Sequence, residues 1–383
     1  MIAKVRPGKG AFLLGMLAIV ASVAAVGALL RNMQSSPVAG TTGTLLIYSS
    51  TDEDHFATIL SSFKQANPAI RVVYKSLPAR DVYDRTRNEI DRGQPGADLV
   101  ISSSMDLQIK LVNDRYAQPY SSPHRVHLPN WAVWKNEAYA VTSEPIVIGY
   151  NKRLLARNAV PTSHDELAAM LHGDPARFRN RIGLYDPQQS PTGYMYIRQD
   201  LHVDNDNWDL IGGIGRAGPR LFTSTKEMID RVSAGDLIFA YNIIGSYALQ
   251  RAKTDANFGV IVPRDYVLIG SRVALISRTA MNPGAAQQFL DFMLSAKGQQ
   301  LLNKNNMIPL RADAAHGDWG LGGANERAIH VGPALMADLD RVNQERFFSK
   351  WKSSMGRSLN AQAESQKQGE ESNEKPTIDE SVS

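Results

Sequence analysis

The residues best placed to do chemistry in this chain are small hydroxyls that gather where apolar runs break off. Ser49-Ser50-Thr51 follow Leu45-Leu46-Ile47-Tyr48, Ser102-Ser103-Ser104 follow Leu99-Val100-Ile101, and Ser190-Pro191-Thr192-Gly193 and Thr223-Ser224-Thr225 each precede a periodic stretch. Hydroxyls beside the unpaired backbone N–H groups of a helix start stabilise a bound anion by charge-assisted hydrogen bonds. Ser50 with Glu53 three residues on has the form of a capping box, so a purely capping role stands beside the anion-binding one. Arg272, just before another apolar run, is either a bidentate clamp on such an anion or half of a structural salt bridge at a hinge. Tyr241, Asn242 and Tyr247 lie close to the end of Leu237-Ile238-Phe239-Ala240 and either face a ligand or pack.

Other chemistries find little support. The chain has no cysteine, which excludes a disulfide framework, a thiolate metal site, a cysteine nucleophile and a lipidated N-terminal cysteine. Neither a Gly-x-Ser-x-Gly elbow nor a Ser-x-x-Lys pattern sits at a suitable corner, so no enzyme activity and no cofactor is expected. His124 and His127 are three apart but stand in a Pro-containing loop without a partner, which reads as surface histidine. A formal net charge of +4 over 383 residues, with the basic residues scattered, argues against nucleic acid.

Lys4, Arg6 and Lys9 precede an uncharged run over 11–30, the pattern of an export signal. Val26-Gly27-Ala28 and Val38-Ala39-Gly40 offer small residues for cleavage, while the run is also long enough to stay as a single-helix anchor. In either case the remainder is expected in the periplasm, tethered to the inner membrane if the signal is uncleaved.

These hydroxyls need elements to position them. Leu45 to Tyr48, the periodic Asp54 to Gln65, Ile70 to Tyr74, Asp81 to Asp91 and Ala97 to Ile101 read as β-α-β-α-β. Such alternation implies a parallel sheet, with ligands beyond the carboxyl ends of its strands, where both first hydroxyl clusters fall. The expected organisation is a signal or anchor with linker over 1–40, lobe 1 over 44–142, lobe 2 over 143–264, and a return to lobe 1 over 265–320. A C-terminal helical segment over 321–356 and a disordered tail over 357–383 complete it.

In this order, Leu46-Ile47-Tyr48-Ser49-Ser50, the stretch Gly96 to Ser104, Ala240 to Ala248, Val262-Pro263-Arg264-Asp265-Tyr266 and Asn282 to Ser295 resemble an extracellular solute-binding protein of an ABC importer. The resemblance is to the type 2 periplasmic-binding-protein superfamily, nearest its ferric-ion-binding branch. It implies an α/β fold of two lobes, each a mixed, mostly parallel sheet flanked by helices, with the solute held in the cleft as the lobes close. In that branch a histidine, a glutamate and two adjacent tyrosines hold the metal; by spacing, those places are taken here by Asp52, Ser103, Ile244 and Gly245. A ferric alternative would have to draw on Asp52, Tyr241 and Tyr247. The relatives' Ser-Gly turn, which holds an anion, is similar to Ser190 to Gly193. The resemblance thus implies a small phosphorylated or carboxylated solute ringed by Ser49, Ser50, Thr51, Ser103, Ser190, Thr192, Gly193 and Thr225, with Tyr241, Asn242 and Arg272 as further candidates. It also implies a membrane permease as partner, or a sensor histidine kinase in a sensing variant, and a monomer as the family norm.

Overall fold

A computed structural model describes residues 41–314 and 325–356. The expected signal with its cleavage points near Ala28 and Gly40, and the tail from Arg357, lie outside the described residues. The described elements begin with β1 (Gly43–Ser49), α1 (Glu53–Ala66), β2 (Ile70–Ser76), α2 (Ala79–Asp91), β3 (Leu99–Ser102) and α3 (Met105–Asn113), followed by β4 (Val133–Trp134) and β5 (Ala138–Ala140). It then crosses into β6 (Glu144–Asn151), α4 (His164–Gly173), β7 (Ile182–Tyr185), α5 (Pro191–Val203), α6 (Asn207–Arg216), β8 (Arg220–Phe222), α7 (Thr225–Ala234), β9 (Phe239–Ile244), α8 (Gly245–Thr254), β10 (Phe258–Ile261) and β11 (Val267–Gly270). After β12 (Val273–Ile276), α9 (Pro283–Leu294) and α10 (Ala296–Lys304) come β13 (Glu326–Ala328), a 3-10 segment over Pro333–Leu339 and α11 (Arg341–Met355).

Two sheets result. The first runs β2-β1-β3-β12-β5-β4, with β1 parallel to β2 and β3. The second runs β13-β11-β6-β9-β7-β8, with β10 added on β6. Helices flank both sheets, so the expected two-lobed α/β fold is what the chain adopts. The lobes are joined by neighbouring crossings, from Ala140 to Glu144 outward and from Gly270 to Val273 back; Gly270 pairs with Glu144 and Val273 with Ala140.

Local sequence accounts for much of this. Phe56, Ile59, Leu60 and Phe63, spaced three and four apart, are the buried face of α1, and Phe63 meets Phe289 of α9 edge-on at 4.8 Å. Each such side chain contributes roughly 1.5–3 kcal/mol by leaving water.

Two readings change. The Ser50–Glu53 capping box does not form: Asp52 is the N-cap of α1, and the Ser50 hydroxyl accepts from the Ser103 N–H at 3.0 Å. Pairing of β1 with β3 turns this hydroxyl towards the neighbouring strand. The stretch 263–271, read as a return to lobe 1, instead contributes β11 to the second sheet, where its four buried residues are covered by pairing with β6 and β13. Further on, β13 extends the second sheet and Phe347, Trp351 and Met355 of α11 enter the core of lobe 2, while the 3-10 segment between them packs on α3 of lobe 1.

A buried carboxyl marks the start of α3. Asp106 Oδ1 accepts from the Leu107 N–H at 2.8 Å, while Oδ2 has no partner among the described residues. Burial, the opposing effect of that N–H, and then the nearby Asp338 carboxylate leave its pKa pushed up to about 7. A carboxyl raised in the folded state stabilises fully below its unfolded pKa, near 4, and that contribution is lost as pH rises towards 7. Asp106→Asn removes the titration, so it should gain roughly 2–4 kcal/mol on the parent protein at pH 8 and nothing near pH 4. Urea melts at the two pH values measure this; equal differences at both would contradict it.

Candidate functional site

The carboxyl ends of the strands face each other across a cleft of about 290 Å³. Lobe 1 lines it with Ser50 and Asp52 after β1, with Ser76 to Arg80 between β2 and α2, and with Ser103 after β3. Lobe 2 supplies Tyr185 and Gln189 to Thr192 between β7 and α5, Thr223 to Lys226 at the start of α7, and Ile244 and Tyr247 at the start of α8. Each wall is thus made of strand ends and helix starts, whose N–H groups and positive dipole ends favour an anion. Of the charged lining residues, Arg80 and Lys226 are basic, one from each lobe; Asp52 is the acid.

Five hydroxyl residues predicted to face the solute do line this cleft: Ser50, Ser103, Ser190, Thr192 and Thr225. Several of them meet across it. Thr192 Oγ1 lies 2.7 Å from Ser104 Oγ and 3.3 Å from Ser103 Oγ, which is in turn 3.3 Å from Ser50 Oγ. Thr225 bonds the Tyr185 hydroxyl, and Ser190 caps α5 by accepting from the Gly193 N–H at 3.2 Å. Gly193 is a close-approach glycine, since a Cβ there would stand 2.1 Å from Cβ of Tyr185. Its place in the site is therefore to let Tyr185 reach the cleft wall, while its N–H is spent on the cap.

The remaining candidates lie elsewhere. Ser49 and Thr51 are buried within the turn: Ser49 Oγ accepts from the Thr51 N–H at 3.1 Å, and the Thr51 carbonyl accepts from Tyr74 at 2.8 Å. Tyr241 and Asn242 are inside lobe 2, where both donate to Asp200 at 3.0 and 2.5 Å, joined by the Tyr266 hydroxyl at 3.0 Å. Burial pushes the Asp200 carboxyl up, and three donors offset part of that cost. Arg272 is fully buried at the crossing between the lobes and donates from Nη1 to Glu144 Oε1 at 2.8 Å. It is the hinge salt bridge, not a clamp exposed in the cleft.

Of the residues a ferric reading would draw on, Tyr247 donates to Asp52 at 3.0 Å, while Tyr241 donates to Asp200 inside lobe 2. Among the described residues, no group of three or more His, Cys, Asp or Glu stands ready for a metal.

Arg80 and Lys226 were not singled out from the sequence. Ser76-Leu77-Pro78-Ala79-Arg80 nevertheless runs from the end of the second strand into α2, where the carboxyl-end rule applies as it does to Ser49-Ser50-Thr51. Lys226 directly follows the cap Thr223-Ser224-Thr225.

Solved structures share this architecture. The substrate-binding protein of an ABC transporter from Agrobacterium tumefaciens is 32% identical over 83% of this chain and 96% of its own, with a TM-score of 0.78. The ferric binding protein from Campylobacter jejuni is 19% identical, over 81% and 99%, with a TM-score of 0.65. AfuA from Actinobacillus pleuropneumoniae, solved with exogenous fructose-6-phosphate bound, is 18% identical, over 82% and 98%, with a TM-score of 0.66. At their identities the last two speak for the fold alone. No curated protein sequence matches the chain. The sequence profile of bacterial extracellular solute-binding proteins matches residues 94–318, more than half of the 383. With that match, the two lobes and the 32% relative, the chain belongs to the bacterial extracellular solute-binding proteins, the family that serves ABC transporters.

Proposed function

We propose that this solute-binding component of an ABC transporter captures a small organic anion, phosphorylated or carboxylated, in the periplasm and presents it to a membrane permease. The observation that carries the reading is the make-up of the cleft. Arg80 and Lys226 approach it from opposite lobes among hydroxyls and helix starts, and its one carboxylate among the described lining residues, Asp52, is engaged by Tyr247. About 290 Å³ is close to the lower end of the roughly 300–1,000 Å³ of small-molecule sites, and is far more than a bare metal ion fills. Lobe closure joins the two cationic walls around one solute, so the closed population rises with solute and is what the permease reads. The fructose-6-phosphate bound in AfuA is a solute of the proposed kind.

A thermal-shift panel of fructose 6-phosphate, other sugar phosphates, citrate, inorganic phosphate and ferric citrate tests this. An organic anion present at 100 times its Kd adds about 2.7 kcal/mol, a rise of several degrees. If ferric citrate alone raises the melting point and a visible tyrosinate band develops, the chain is an iron binder.

A further inference from the structure

One acid, Asp52, stands among the described residues that line the cleft, and an acid is the side chain least suited to an anionic solute. It is the N-cap of α1, a place where an aspartate ordinarily accepts from an N–H of the first helical turn. Its side chain makes no such bond. Instead Oδ2 accepts from the Tyr247 hydroxyl of lobe 2 at 3.0 Å, and the Asp52 backbone N–H donates to the same hydroxyl at 3.4 Å. Among the described residues no basic side chain pairs with Asp52; Lys226, which lines the same cleft, lies 3.2 Å from Asp230.

The start of α8 is built for this reach. At Gly245 an added Cβ would stand 2.6 Å from the Pro145 carbonyl oxygen, so glycine lets the helix begin against β6 beside the crossing. Ser246 follows and donates to Glu144, at the start of β6. Tyr247 then points towards lobe 1, its ring stacked on His55 of α1 with centroids 4.0 Å apart and planes 9° from parallel, and the Arg272 guanidinium 5.7 Å from its centroid. A ring held by these neighbours has the direction of its hydroxyl fixed.

We propose that Tyr247 is a specificity-determining residue of the cleft: its hydroxyl covers the Asp52 carboxylate, so that the acid of the lining does not oppose an anionic solute. This rests on the anion reading above and deepens it. Uncovered, the carboxylate would turn free lone pairs on the bound anion, and two like charges about 6 Å apart in a partly wet cleft weaken binding by roughly tenfold. Donor and acceptor come from opposite lobes. The cover is therefore complete only when the lobes are together, which makes the charge preference a property of the closed form.

Calorimetric titration of the full chain with fructose 6-phosphate, citrate and inorganic phosphate tests this in the parent, Tyr247→Phe, Asp52→Asn and the double variant. Phenylalanine keeps the ring on His55 and removes only the hydroxyl. Tyr247→Phe should bind whichever of these anions the parent binds about tenfold more weakly, and the loss should shrink as salt is raised. Asp52→Asn should bind it about threefold more tightly, and added to Tyr247→Phe it should bring the affinity back to at least that of the parent. A hydroxyl that merely held the lobes together would leave the double variant as weak as Tyr247→Phe. That result, an unchanged Tyr247→Phe, or weaker binding by Asp52→Asn overturns the proposal. Should Tyr247→Phe fail to fold, the gain or loss in Asp52→Asn alone decides it. Failure of the parent to bind any of the three would instead remove the anion reading, and this inference with it.

Discussion

Arg272→Met is expected to melt roughly 5–10 °C below the parent protein. Arg272 and Glu144 are 1% and 3% exposed as side chains, and their 2.8 Å contact ties the crossing at Ala140 to Glu144 to the one at Gly270 to Val273, next to the pairing of Gly270 with Glu144. Removing the arginine leaves a buried carboxylate with only the Thr142 and Ser246 hydroxyls, an orphan charge that costs about 3–5 kcal/mol. The double change Glu144→Gln with Arg272→Met removes the charge as well, and should recover more than half of the loss. Calorimetric melts of the three proteins decide it. A single variant as stable as the parent would show that the pair carries no weight at the hinge.

The second large effect concerns binding. Arg80→Ala should weaken the anion that gives the largest melting shift by about 10- to 100-fold, the value of one charge-assisted hydrogen bond at 1.5–3 kcal/mol. Arg80 is exposed on the lobe 1 wall, so the solute-free melting point should stay within about 1 °C. Lys226→Ala should cost less, because Lys226 already shares its charge with Asp230 at 3.2 Å on its own helix. Titration calorimetry in low and high salt measures both. Unchanged affinity in the Arg80 variant would take lobe 1's cation out of the site.

The fold was legible wherever structure is local. The face of α1 follows from the spacing of Phe56, Ile59, Leu60 and Phe63, and the position of the cleft follows from hydroxyls at strand ends. What the sequence left open depended on partners far along the chain. Arg272 was balanced between clamp and hinge because Glu144 lies 128 positions away, and nothing near either residue announces the pair. Tyr241 and Asn242 sit at a strand end, as a ligand-facing residue would, but Asp200, 41 and 42 positions earlier, draws both inward. Ser49 and Thr51 belong to the right cluster yet alternate with Ser50 and Asp52, so the turn buries the first pair and offers the second to the cleft. Arg80 escaped notice because the second strand ends without a hydroxyl cluster, although its geometry is that of the first.

A crystal structure of the protein with the most strongly stabilising anion bound tests the cleft assignment most directly. The assignment predicts the anionic group between the Arg80 guanidinium and the helix starts at Thr192 and Thr225, with both lobes in contact with one solute molecule. Density for a metal on Asp52 and Tyr247, or for the anion outside the space between the lobes, would contradict it.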